Sequence, residues 1–330
     1  MQKKFPILYE SILSKKQKTI EAIALHEDVY TSLSNYLSKE SRTKAAQPNL
    51  IVGEVGSGKT FLLKRLMDVI HINMGNSLYP IAIEGRSLFS TENIWKQCAA
   101  CMNLEGGKNT FEDIMIWQES SSKRIVLLVD NIQYYFERTD HTEHYELRGK
   151  LNRPGSPILI ATSDKVMPAF TDYSAAFFDG FKITYLKPLS ISAINGITKN
   201  EYDLNRIERL LSYMPRTIRS LIVATEITTK SKDEEDDLTH LSEYFYTYYQ
   251  TKFDLLSTQT QRILIALSHS DTGLSLSELR EKTGQESGKI SPYLKLMIDQ
   301  KTINKEAKTV RGGVYSIIDS MFKLWLRLYV

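Results

Sequence analysis

The chain alternates short, uniformly apolar runs with longer segments in which apolar residues recur every three or four positions. The apolar runs are "PNLIV" (48–52), "YPIAIE" (79–84), "RIVLLVD" (124–130), "SPILIATS" (156–163) and "FKITYL" (181–186). Consecutive apolar residues bounded by turn residues predict strands buried on both faces. "RPGSP" at 153–157 is turn chemistry and introduces the fourth run. "TFLLKRLMDVIHIN" (60–73) has helical spacing. Strands alternating with helices predict an α/β fold, a parallel sheet with helices on both faces.

Outside this core the periodicity is helical. Residues 1–45 read as a polar helical segment, with "EDVYTSLSNYLSKE" amphipathic, and 46–190 as the α/β core. From 191 to 230 the segments "SAINGITKN", "NRIERLLSYM" and "RTIRSLIVATEITT" follow with no strand between them and predict a small helical lid. The acidic run "SKDEEDD" (Ser231–Asp237) predicts a linker over 231–240, and 241–330 a last domain.

In that last domain a first helix is followed by a second over Ser277–Thr283 and a third over Ser287–Asp299. Ile290, Leu294, Met297 and Ile298 make the apolar face of the third helix. "TINKE", a turn with Arg311-Gly312-Gly313, and "VYSII" predict a two-stranded wing. This order resembles a winged helix-turn-helix domain, whose third helix enters the DNA major groove. Lys289, Ser291, Tyr293 and Lys295 would face outward from that helix, with Lys308 and Arg311 on the wing. From Lys282 to Arg311 seven Lys/Arg stand against three Asp/Glu, a local excess of +4.

Composition adds boundaries. At 330 residues the chain has room for two cores, and 42% hydrophobic with 25% charged residues is ordinary for a globular protein. A net charge of +3 does not by itself identify a nucleic-acid binder. No apolar run reaches the roughly 18 residues that span a membrane. Tyr9, Glu10 and Ser11 interrupt the N-terminal apolar stretch, which argues against a signal peptide. Two cysteines cannot staple a chain of this size, so a reducing, cytoplasmic setting is expected.

The chemistry is concentrated at Gly53-Glu54-Val55-Gly56-Ser57-Gly58-Lys59-Thr60, with Phe61 behind it. This satisfies G-x-x-x-x-G-K-[ST] between a strand and a helix, the setting of a phosphate-binding loop. Glycines let backbone N–H groups turn inward around a phosphate at the helix N-terminus. Lys59 would reach the β- and γ-phosphates of ATP, and the Thr60 hydroxyl would bind Mg²⁺. The metal also needs an acid at the end of a neighbouring strand, and Asp130 closes "RIVLLVD". Many ATPases of this build carry a water-activating glutamate next. Here the residue is Asn131, which cannot take a proton. Glu84 would substitute if its strand lies beside the cradle, and Asp164 is another acid at a strand end.

These motifs together resemble the AAA+ and STAND branches of P-loop ATPases, particularly archaeal-type ATPases and origin-recognition initiators with a C-terminal winged helix. The resemblance covers roughly residues 25–330. It implies a γ-phosphate sensor at Thr162 or Ser163, and a nucleotide-contacting lid arginine at Arg216 in "YMPRTIR". The closing "YSIIDSMFKLWLRLYV" is similar to the ending of those ATPases, with Phe322, Trp325 and Leu326 expected in the core. One departure stands out. No arginine lies between Pro154 and Asn205, where ring-forming members carry a finger, leaving Arg148 and Arg153 as weaker candidates. Together with Asn131 this implies slow hydrolysis and a nucleotide-held switch.

Three functional readings follow. One is an ATP-regulated binder of double-stranded DNA, of initiator, regulator or mobile-element class. Another is a signalling or defence ATPase whose winged helix binds a protein partner. A third is a binder that keeps ADP permanently. Cys98 and Cys101 read as buried helix cysteines, His141 and His144 as a solvated face, and "YFYTYYQTKF" (244–253) as interdomain packing.

Overall fold

The computed structural model describes residues 26–39, 44–104, 110–198, 202–284, 287–307 and 313–330. The described chain divides into two compact units, one of residues 26–197 with 217–219 and one of 198–216 with 220–330.

The first unit opens with helix α1 (Glu27–Lys39) and strand β1 (Asn49–Val52), then helix α2 (Lys59–Asn73) and strand β2 (Leu78–Glu84). Helices α3 (Thr91–Cys101) and α4 (Thr110–Ser121) lead to β3 (Arg124–Asp130). Helices α5 (Gln133–Arg138) and α6 (His141–Leu151) precede β4 (Ile158–Ser163). A short α7 (Pro168–Thr171), β5 (Lys182–Tyr185) and α8 (Ile191–Thr198) complete the series. The strands form one parallel sheet in the order β2-β3-β4-β1-β5.

Every residue of β3 is buried, as is every residue of β1 and β4. Successive side chains go to opposite faces. Leu127 and Val129 join Trp95, Phe111, Tyr135 and Phe136 on one side, while Val126 and Leu128 join Leu62, Leu66, Ile70 and Leu33 on the other. This two-sided burial explains why these three strands read as unbroken apolar runs, whereas β5, expected to be buried too, is a sheet edge with Lys182 and Tyr185 exposed. Pro80 sits inside β2, where its missing N–H is tolerated because β2 is an edge strand paired with β3 alone.

The second unit contains α9 (Leu204–Leu211), most of α10 (Ile218–Lys230), and α11 (Glu234–Asp254). Then follow α12 (Thr258–Ser268), β6 (Leu274–Ser275), α13 (Leu276–Thr283) and α14 (Ser287–Asp299). The chain closes with β7 (Ile303–Ala307), β8 (Gly313–Ile317) and α15 (Ser320–Tyr329). β6, β8 and β7 make an antiparallel three-stranded sheet in that order. The helix-turn-helix is well marked: Ser275 and Glu278 form a capping box on α13, and Gly284 ends it in the left-handed conformation. Ile290, Leu294 and Met297 of α14 are buried, with Ile298 partly so. Phe322, Trp325 and Leu326 are fully buried.

The acidic run does not form a linker. Asp233 caps α11, accepting from the N–H groups of Glu235 and Asp236, and Glu234–Asp237 fill its first turn. Carboxylates there oppose the positive end of the helix dipole. Asp237 is buried, and both its oxygens accept from Arg206 of α9 at 2.7 Å. The aromatic run packs against α15 within this unit. Tyr249 stacks on Phe322 with ring centroids 5.3 Å apart and donates to Asp319, and Phe253 lies against Trp325.

Candidate active site

β1 delivers the chain into the phosphate-binding loop, and α2 starts as the loop ends. Gly56 and Gly58 take φ of 84° and 98°, a conformation that side chains with a Cβ rarely adopt. Both are needed for the loop to turn its backbone inward. Behind it, Leu62, Leu63, Leu66 and Ile70 seat α2 on the sheet, fixing the helix N-terminus at the loop.

Lys59 is buried at the first turn of α2, and its ammonium donates to the carbonyls of Gly53 and Glu54 at 2.5 and 2.8 Å. Burial pushes this ammonium below its ordinary pKa, while Asp130, Asp164 and Glu54 pull the other way. Thr60 donates from Oγ1 to Asp130 Oδ2 at 2.5 Å. The Thr162 hydroxyl donates to the other oxygen, Oδ1, of the same carboxylate. Asp130 is only 2% exposed, so two threonine hydroxyls from separate elements satisfy one buried acid.

Strand register produces this meeting. Ile51 is level with Thr162, and Val129 with Ala161, so the ends of β1, β3 and β4 converge. Of the two sensor candidates, Thr162 reaches Asp130, whereas Ser163 donates to the Lys165 carbonyl at 2.5 Å. The next backbone N–H, that of Asn131, donates to Thr162 Oγ1 at 3.0 Å.

Glu84 is not on a strand beside the cradle. β2 lies at the sheet edge, separated from β1 by β3 and β4. Yet Glu84 is level with Asp130, and Asn131 Nδ2 donates to its Oε1 at 3.1 Å. Partial burial raises the Glu84 pKa, opposed by the Asn131 amide and the Arg86 backbone N–H. Asp164 and Glu54 are exposed.

The donor set fits a nucleotide phosphate with a hard divalent cation. The cradle is a space a side chain would close: a Cβ on Gly53 would lie 2.7 Å from Ser57 Oγ. Ser57 Oγ is itself buried without a hydrogen-bond partner. A hydroxyl and a carboxylate 2.5 Å apart are the oxygen ligands such a cation takes.

Some expected residues are occupied elsewhere. Arg216 pairs with Glu208 in the second unit. Arg148 donates to the Ala176 carbonyl at 2.6 Å, and Arg153 pairs with Glu112. Lys289, Ser291 and Lys295 lie exposed on α14, while Lys308 and Arg311 fall outside the described residues. Cys98 is buried in α3 as expected, but Cys101, at the end of the same helix, is exposed rather than buried. His144 is buried against Phe136, not on a solvated face, and burial lowers its pKa. No helix among the described residues is long and apolar enough to cross a membrane.

Sequence reasoning missed two features. The Arg219 N–H donates to the Gly56 carbonyl at 3.3 Å, so the loop is gripped three residues beyond the arginine that the motif singled out. His26 Nε2 lies 2.8 Å from the Ser57 carbonyl. Both contacts are long-range and carry no local pattern.

No family model matches the chain, and no curated protein matches it in sequence. Solved structures do match. The Aeropyrum pernix ORC2 protein, solved as ADPNP–ADP complexes, is 13% identical with a TM-score of 0.63, covering 92% of this chain and 92% of that chain. This is the fold of origin-recognition ATPases. Drosophila ORC bound to DNA is 11% identical with a TM-score of 0.52, over 100% of this chain and 95% of that chain. The Aeropyrum pernix ORC1 protein in complex with DNA is 12% identical with a TM-score of 0.50, covering 96% and 94%. The likeness is one of fold and runs over nearly the whole of each chain.

Proposed function

We propose that this protein binds ATP with Mg²⁺ in the Gly53–Thr60 loop, hydrolyses it slowly, and uses the nucleotide state to control a DNA-binding winged helix. The observation that carries the reading is the buried Asp130 carboxylate, held by Thr60 of the loop helix and Thr162 of β4, beside the Lys59 ammonium. Lys59 would exchange its two carbonyl contacts for phosphate oxygens, giving up neutral acceptors for charged ones. Thr60 and Asp130 would hold the cation, which supplies charge neutralisation at the phosphates. Thr162 would then report, through Asp130, on what occupies the loop.

The neighbours solved with nucleotide and with DNA support the coarse reading, and the exposed Lys289, Ser291 and Lys295 on α14 support a groove-facing helix. Lys308 and Arg311 would add phosphate contacts from the wing. The rival partner is a protein docked on the same domain.

Calorimetric titration of ATP, with Mg²⁺ and with EDTA, tests the nucleotide site. Wild-type protein is expected to bind more tightly with Mg²⁺, and Lys59→Ala to lose most of the affinity. Equal binding by wild type and Lys59→Ala contradicts the site.

A further inference from the structure

The ends of β2 and β3 carry an acid and an amide locked together. Asn131 Nδ2 donates to both Glu84 oxygens, at 3.1 and 3.4 Å. The Arg86 N–H donates to Glu84 Oε1 at 3.3 Å, and the Ser87 hydroxyl to the Glu84 carbonyl at 2.7 Å. The backbones are pressed together at the same point. A Cβ on Gly85 would lie 2.2 Å from the Asn131 carbonyl oxygen, so only glycine fits. Asn131 itself sits at φ 57°, a left-handed conformation that asparagine tolerates better than most residues.

Other nearby carboxylates are less suited to activating water. Asp130 is engaged by two hydroxyls and belongs to the proposed cation shell. Glu54 and Asp164 are exposed on loops. Glu84 is half-buried, level with Asp130, and its side-chain oxygens accept from neutral amides rather than pairing with a cation. An amide donor orients a carboxylate without neutralising it.

We propose that Glu84, positioned by Asn131, is the general base of ATP hydrolysis, an inference that rests on the nucleotide reading above. The acid comes from β2 and the amide from the position after Asp130. In the step, the Glu84 carboxylate takes a proton from a water whose oxygen attacks the γ-phosphorus. The bond from that phosphorus to the β–γ bridging oxygen breaks, and its electron pair leaves with ADP. The proton passes from Glu84 to solvent as phosphate departs. Asn131 is a positioning residue, holding the carboxylate by one edge.

The test uses the full chain with ATP and Mg²⁺. Glu84→Gln keeps an oxygen that accepts from Asn131 and nearly the same shape. Its turnover should fall about 10²–10⁴-fold, the usual contribution of a positioned base, with ATP affinity and melting temperature unchanged. Asn131→Glu alone sets two carboxylates against each other, and its turnover should not rise. The transposed double variant Glu84→Asn with Asn131→Glu should recover turnover above that of Glu84→Gln. Wild-type turnover in Glu84→Gln overturns the proposal. So does loss of ATP binding alongside turnover in that variant, which marks a structural role. A wild type that binds ATP but never hydrolyses it overturns the catalytic role and leaves the nucleotide site standing. A wild type that binds no ATP overturns both.

Discussion

At the scale of single residues, Asp130 organises the site because it is the buried charge on which separate elements converge. Its neutralisation should therefore be felt as a loss of metal linkage rather than of phosphate contacts. Asp130→Asn is expected to bind ATP in EDTA as wild type does, and to lose the tightening that Mg²⁺ gives. Calorimetry in the two buffers reads this directly, and undiminished tightening would remove Asp130 from the shell. Gly85 makes a second residue-scale prediction. Gly85→Ala forces a methyl group into the Asn131 carbonyl, and overpacking of this kind costs about 1–3 kcal/mol. Urea unfolding should register that loss, and hydrolysis should fall with it because the Glu84–Asn131 contact is disturbed. The loop, Lys59, Thr60 and Asp130 were legible in the sequence because each is announced by its neighbours: glycines at fixed spacing, or an acid after five apolar residues. The Glu84–Asn131 contact was not, since it depends on which strand lies beside which. The sequence made Glu84 a substitute only if its strand lay beside the cradle, and β2 instead lies at the sheet edge against β3.

At the scale of elements, the acidic start of α11 illustrates how local charge misleads. Five consecutive acids look like a solvated linker, yet Asp233 caps a helix and Asp237 turns inward to Arg206. That partner lies 31 residues upstream, so only the tertiary structure gives the run its meaning. Burial by itself would raise the Asp237 pKa, but the hydrogen bonds from Arg206 and Ser231 outweigh it and hold the carboxyl below its ordinary value. A depressed folded pKa contributes stability that is complete above the unfolded pKa and is lost as pH falls through the folded one. The second unit should thus lose stability in acid below the usual carboxylate range. Asp237→Asn should flatten that dependence while costing on the order of 3 kcal/mol at neutral pH, since it leaves Arg206 without its charged partner. Urea midpoints at neutral and acid pH check both, and an unchanged acid slope would show that other carboxylates set it. Strands β1, β3 and β4, by contrast, were predictable because a doubly covered parallel sheet writes itself as apolar runs.

At the scale of the whole molecule, the account joins a nucleotide site in one unit to a groove-facing helix in another. The +4 excess from Lys282 to Arg311 provides the electrostatic side of that claim, since each phosphate contact releases condensed counterions. Lys308→Ala with Arg311→Ala should weaken binding on every sequence and flatten the log–log salt slope by about 2. Lys295→Ala should instead change sequence preference if its side chain meets a base edge. The most direct measurement is duplex DNA binding by fluorescence anisotropy across a salt series, with ATP and Mg²⁺ and with nucleotide removed. The account predicts salt-dependent binding whose affinity differs between the two states, with that difference abolished in Lys59→Ala. Binding that is absent in both states, or identical in both, would contradict it.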